Sequence, residues 1–299
     1  MVNATTVRMW NLRLTLATLT ITALAGCGKL YVDESLLSAD PSTATSTTGS
    51  SGAGGSASAT YKLVFFNGLP AYNTDGGNQV WSSLNQGVSW SNEAAFPYGA
   101  DQSFGSAVLN GKAFVAGGAN HNFSAYYSDV AYTTDGTTWT SVGNLPAQRA
   151  MGALVAHGTD LYWMGGIDNA ATTVATIYKS SDEGANWSTC AAVLPAVRKL
   201  GAAVSAGGSI FWIAGETGSY QSAVYQSGAD PCVNAWSTDT ALPIAMGRFA
   251  ATVMNGKIYV AGGYAVAADQ NEVYEGTVSA GAITWTTYSN VVPSPAGLG

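Results

Sequence analysis

Three arginines, Arg149, Arg198 and Arg248, each follow a Leu-Pro pair. A guanidinium is a planar fork that takes a carboxylate or phosphate by two parallel hydrogen bonds. Three of them at matching positions of a repeat, ringed about a common axis, would grip an acidic glycan or peptide. The competing reading is repeat consensus, with each arginine bonding neighbouring loop carbonyls. Glu216 is read as standing where the other repeats have Gly, which makes it the specialised carboxylate; beside an arginine it would suit proton transfer on a small sugar. His121 joins the candidate ligand-binding residues, and His157 is the other histidine. Cys190 and Cys232 are left once Cys27 is set aside. In an oxidising compartment such a pair often forms a disulfide, if the Cα atoms come within about 5.5 Å; two free thiols are the alternative. No metal or other cofactor is expected, and no residue is assigned a catalytic role.

The elements that must position these residues are strands. Hydrophobic residues make up 47% of the 299 and charged residues only 10%, too few for the solvent faces of many helices. The 36 glycines, with abundant Thr, Ser, Val and Tyr, suit short strands and tight turns. Tryptophans at 90, 139, 187, 236 and 285 recur at steps of 49, 48, 49 and 49, each after an apolar stretch ending in small residues. That gives five copies of one unit. In the second copy the pattern predicts strand A over Gly105 to Leu109, an Asn110-Gly111 hairpin, strand B over Lys112 to Ala116, C over Asp129 to Thr133 and D over Thr138 to Val142. The first unit lacks a strand A, and residues 292–299 align with the start of another one. Either those last residues close a five-bladed ring, with imperfect closure, or the chain is part of a larger array.

Four antiparallel strands at this period, with Gly-Gly before a Tyr and a Trp, resemble the blades of a kelch-type β-propeller. Residues Ser180 to Trp187 match the Asp-box pattern S-x-D-x-G-x-x-W, with weaker versions at Ser83 to Trp90 and Thr133 to Trp139. The expected domain is thus an all-β propeller of about five four-stranded blades over residues 61–299. Alternating strand direction puts B–C and D–A connections on one face and A–B and C–D hairpins on the other. The first face carries the longer segments, where a scaffold places function.

Ahead of the repeats, Arg8 and Arg13 precede an apolar run from Leu14 to Leu24 that ends in Leu24-Ala25-Gly26-Cys27. This resembles the lipobox of bacterial lipoproteins. The resemblance implies a signal peptide over residues 1–26, acylation of Cys27 and, with Gly28 rather than Asp behind it, an outer-membrane destination. Residues 27–60 read as a Ser/Thr/Gly/Ala tether with a reach of about 30 Å. Net charge is −7, and −9 without the two leader arginines, so nucleic acid is an unsuitable partner. Membrane contact is expected through the lipid anchor.

Kelch-fold copper oxidases would need two His, two Tyr and a Cys; here His121 and His157 fall on opposite faces. A sialidase would need an Arg-Ile-Pro motif that this chain lacks. The leading expectation is a non-catalytic cell-envelope module that binds a glycan or protein ligand on its arginine face. The alternative is a periplasmic sugar mutarotase or epimerase using Glu216.

Overall fold

The computed structural model describes residues 29–32, 63–66, 80–83, 89–95, 97–100, 102–266, 268–279 and 281–289. All regular elements among them are β-strands, as the Thr-, Val- and Tyr-rich alternation requires. They form five four-stranded antiparallel sheets, each a meander in chain order, and one small three-stranded sheet. The first joins β1 (Lys29–Val32), β2 (Leu63–Phe66), β3 (Val80–Ser83) and β4 (Ser91–Glu93). The second joins β5 (Gly105–Leu109), β6 (Lys112–Ala116), β7 (Asp129–Thr133) and β8 (Trp139–Asn144). The third joins β9 (Ala153–His157), β10 (Asp160–Met164), β11 (Thr176–Ser180) and β12 (Ser188–Val193). The fourth joins β13 (Ala202–Ala206), β14 (Ser209–Glu216), β15 (Tyr220–Gln226) and β16 (Ser237–Asp239). After the short β17 (Met246–Gly247), the fifth begins with β18 (Ala250–Met254) and β19 (Lys257–Ala261). Strands β20 (Tyr264–Ala265) and β21 (Ala268–Asp269) interrupt it, and β22 (Val273–Ser279) with β23 (Ala282–Tyr288) completes it.

Inner strands β5, β9, β13 and β18 lie side by side. The four sheets from β5 onward are therefore successive blades of a β-propeller, and the described residues do not close its ring. Each seam is apolar. Phe114, Val130 and Leu145 of the second sheet meet Leu154, Leu161 and Trp163 of the third. Tyr162, Ile177 and Cys190 of the third meet Ile210, Trp212 and Trp236 of the fourth. Phe211, Ile213 and Val224 of the fourth meet Ile258, Val260 and Ile283 of the fifth. Burying one such side chain is worth about 1.5–3 kcal/mol, so the seams supply the main drive for stacking.

The first sheet departs from the expected order. Its strand A is β1, which pairs with β2 from Lys29↔Phe66 to Val32↔Leu63. The Lys-Leu-Tyr-Val stretch has strand-forming residues, but it lies inside the segment read as a tether, so the repeat period could not reveal it. Residues 33–60 of that segment, the leader with Cys27, and residues 290–299 fall outside the described residues.

On the hairpin face, polar side chains hold the turns. Asp182 accepts the Asn186 N–H at 2.8 Å, and Gly184 donates its N–H to Ser180 Oγ at 2.8 Å. The Asn186 side-chain amide, which donates to Asp182 Oδ2 at 2.7 Å, and then the Asn186 N–H and the Ser180 hydroxyl hold the Asp182 carboxyl below its ordinary range. The same hairpin reaches the preceding blade: Glu183 accepts from Asn110 at 2.8 Å and pairs with Lys112. Another seam is covalent, since Cys190 on β12 and Cys232 in the β15–β16 turn form a disulfide. At the A–B hairpins, His157 Nδ1 lies 2.8 Å from Ser205 Oγ of the next blade. Burial pushes His157 below its ordinary 6.5, while the Asp160 charge pulls the other way.

Two outcomes are expected. Replacing both cysteines (Cys190→Ala/Cys232→Ala) removes a cross-link spanning a sequence separation of 42, which lowers unfolding stability by about 2–4 kcal/mol; urea titration should show the same loss in wild type with reductant. Because the folded-state pKa of His157 is depressed, its contribution is present above pH 6.5 and is lost as pH falls through the lower folded value. Stability curves should therefore slope downward from pH 6.5 toward 5 in wild type, and less so in His157→Gln.

Candidate functional site

Where the D–A link reaches the propeller axis, one residue per blade adopts a left-handed backbone: Ser103 (φ 61), Met151 (φ 57), Leu200 (φ 56) and Arg248 (φ 60). The last three each donate their N–H to the carbonyl of the counterpart in the preceding blade. Met151 reaches Ser103 at 2.9 Å, Leu200 reaches Met151 at 2.8 Å and Arg248 reaches Leu200 at 2.9 Å. Around this axial chain, each D–A link also pairs with the start of its blade's B–C segment, through Gln102↔Ala119, Ala150↔Ile167, Lys199↔Glu216 and Gly247↔Tyr264. In the third sheet the two glycines just before this position are tightly packed. A Cβ on Gly165 would lie 2.6 Å from the Arg198 carbonyl, and Gly166 N–H donates to that same carbonyl at 2.7 Å.

This register corrects the arginine reading. Arg149 and Arg198 are equivalent, but Arg248 is not their third member; Met246 takes that position and Arg248 aligns with Met151 and Leu200. Arg149 is 8% exposed and Arg198 4%. Their guanidiniums donate to Tyr178 Oη at 2.6 Å and Tyr225 Oη at 2.7 Å, and to the carbonyls of Gln148 and Val197. Each also lies over the face of its tyrosine, 5.2 and 5.3 Å from the ring centroids. Both arginines tie a D–A link to strand C of the following blade. They are spent on the scaffold, so the structure does not converge three guanidiniums on one ligand.

Glu216 is corrected as well. Gly215 is the counterpart of Gly118 and Gly166, and Glu216 stands one residue further, where the other blades have Ala119, Ile167 and Tyr264. Its carboxylate pairs with Lys199 at 3.2 Å, both side chains being largely buried. His121 sits in the B–C segment of the second sheet, where its carbonyl accepts from Gln102 Nε2 at 2.7 Å. It belongs to the second sheet and Glu216 to the fourth, while His157 lies on the opposite, hairpin face.

What the structure does bring together is a cluster at the axial ends of the fourth and fifth sheets. Arg248 is exposed there. Beside it, Gly247 pairs in backbone register with Tyr264, and a Cβ in its place would be 3.2 Å from the Tyr220 ring. Tyr220 and Tyr264 are 5.8 Å apart and tilted by 58°. Glu216 pairs with Tyr220 across β14–β15, which attaches the Lys199 ion pair to the same cluster. Lys199, Tyr220 and Tyr264 were missed from sequence. A Tyr directly after Gly262-Gly263, against Ala119 and Ile167 in the other blades, was the available signal.

No protein-family model matches this chain, and no curated protein matches it. Among solved structures it is similar to one titled "Structure of YjhT", with a TM-score of 0.63 and 16% identity, covering 75% of this chain and 81% of that one. The likeness is one of fold. It places the chain among β-propellers and carries no activity across.

The buried arginine leads to a test. Arg149→Ala leaves the Tyr178 hydroxyl without its charged partner and should cost about 1.5–3 kcal/mol in urea unfolding. Arg149→Met should cost less, because Met246 fills the equivalent position fully buried.

Proposed function

We propose that the protein is a cell-envelope binding module, lipid-anchored through Cys27 at the outer membrane, that takes an acidic glycan or peptide without chemically changing it. The single observation that carries this reading is the exposed Arg248 at the propeller axis, where the other blades have Ser103, Met151 and Leu200, next to the Tyr220–Tyr264 pair. A guanidinium supplies the bidentate contact to a carboxylate, and the tyrosine rings supply apolar faces with a polar tip for a sugar ring or a peptide. Glu216, engaged by Lys199, belongs to the walls of this site rather than to proton transfer, so the mutarotase alternative gains no support from it.

In this reading the first sheet is the fifth blade. Val80 of β3 supports it, since it packs with Phe104, Ala113 and Val115 of the second sheet. The Ser180–Trp187 hairpin has Asp-box character: Asp182 is bonded to the Asn186 amide, and Trp187 Nε1 donates to the Gly184 carbonyl at 3.0 Å. Such hairpins serve architecture.

Arg248→Ala should weaken binding to a uronic- or sialic-acid glycan, or to an acidic peptide, by about tenfold to a hundredfold, the loss expected for a charged hydrogen bond of about 1.5–3 kcal/mol. Arg149→Met at equal folded concentration should leave binding unchanged. Glycan- and peptide-array titration of both variants is the check; equal binding by wild type and Arg248→Ala would overturn the assignment.

A further inference from the structure

We propose that the face bearing the B–C and D–A connections is the membrane-facing side of the protein. This rests on the acylation of Cys27 put forward above, and it narrows the ligand of that face to acidic groups carried at the lipid surface. Strand direction supplies the first observation. Lys29 pairs with Phe66, the residue at which β2 ends before the B–C connection of its sheet, and Val32 pairs with Leu63 at the opposite end. With the first sheet as the blade proposed above, β1 begins at the same face as Arg248, Tyr220 and Tyr264. Only Gly28 separates Cys27 from Lys29, a covalent reach of about 7 Å when extended. Segment 33–62 follows β1 instead of preceding it, so it cannot act as a spacer between anchor and blade. A lipid on Cys27 holds this face against the headgroups.

Exposed apolar side chains supply an independent observation. Among the described residues, Val193, Val197, Tyr264, Val266 and Tyr288 lie at strand ends or in connections of this face, whereas only Trp90 and Val233 lie toward the hairpin face. Val266 is 81% exposed. Tyrosine and exposed aliphatic side chains are what a headgroup layer accepts, and Arg248 among them suits its phosphates. The protein's overall negative charge gives no electrostatic reason for docking elsewhere, so the anchor sets which side is presented.

The test uses the full acylated chain in vesicles of phosphatidylethanolamine and phosphatidylglycerol that contain a spin-labelled headgroup quencher. A fluorophore is attached to Ala170→Cys in a B–C connection or, in a second variant, to Thr134→Cys in a C–D hairpin; both positions are exposed. The label at 170 should be quenched several-fold more than that at 134. A long Gly/Ser insert after Gly28 should remove the difference. Equal quenching in the acylated protein, or stronger quenching at 134, overturns the orientation while leaving the anchor intact. Mass spectrometry showing no acyl groups on Cys27 overturns the anchor itself, and the orientation with it.

Discussion

The axial hydrogen bonds from Arg248 through Leu200 and Met151 to Ser103 are the constraint on which the blade arrangement depends. Each link must turn into the left-handed region at one residue, at a steric cost for any side chain with a Cβ. In return, the N–H of one blade finds its partner in the blade before it. Spacing at the axis is thereby set by backbone and not by side-chain size. Serine, methionine, leucine and arginine all occupy these positions, so the side chain can change from blade to blade without disturbing the axial bonds.

Charge is used sparingly and locally. With charged residues only 10% of the chain, those within the propeller recur at strand ends and seams. Lys112 meets Glu183 across a seam, Lys179 meets Asp160 within the third sheet, and Lys257 meets Glu275 within the fifth. Exposed pairs of this kind are worth little individually. The buried Arg149 and Arg198 contribute differently: each guanidinium donates to one tyrosine hydroxyl and one backbone carbonyl and lies over the tyrosine ring, while its Nε–H stays without a partner.

Much of the architecture was legible because the repeat is physical. The 49-residue tryptophan spacing and the Asn-Gly hairpins place β5, β6 and β7 at the residues expected for strands A to C, and β8 starts one residue after its expected beginning. The misreadings come from places where the unit changes length. Arg149 and Arg198 are four residues beyond the Leu of their Leu-Pro pairs, but Arg248 is six beyond, so matching by residue type paired unlike positions. Ala214 replaces the first glycine of its pair, which shifted Glu216 by one in the comparison. Strand β1 was hidden because its connection to β2 is not the tight hairpin that joins A to B elsewhere. Tyr178 and Tyr225 as arginine partners required the third dimension, since they are 29 and 27 residues away in sequence.

The disulfide between Cys190 and Cys232 has a consequence for how the disc comes apart. It fastens the seam between the third and fourth sheets, the middle of the run from β5 to β23. Opening then proceeds inward from the outer sheets, and the stapled pair is the last unit to exchange its amide hydrogens. A chain worn by heat or proteases would thus leave a two-blade remnant, with the Tyr220–Tyr264 cluster at its margin, exposed to damage before the scaffold that carries it.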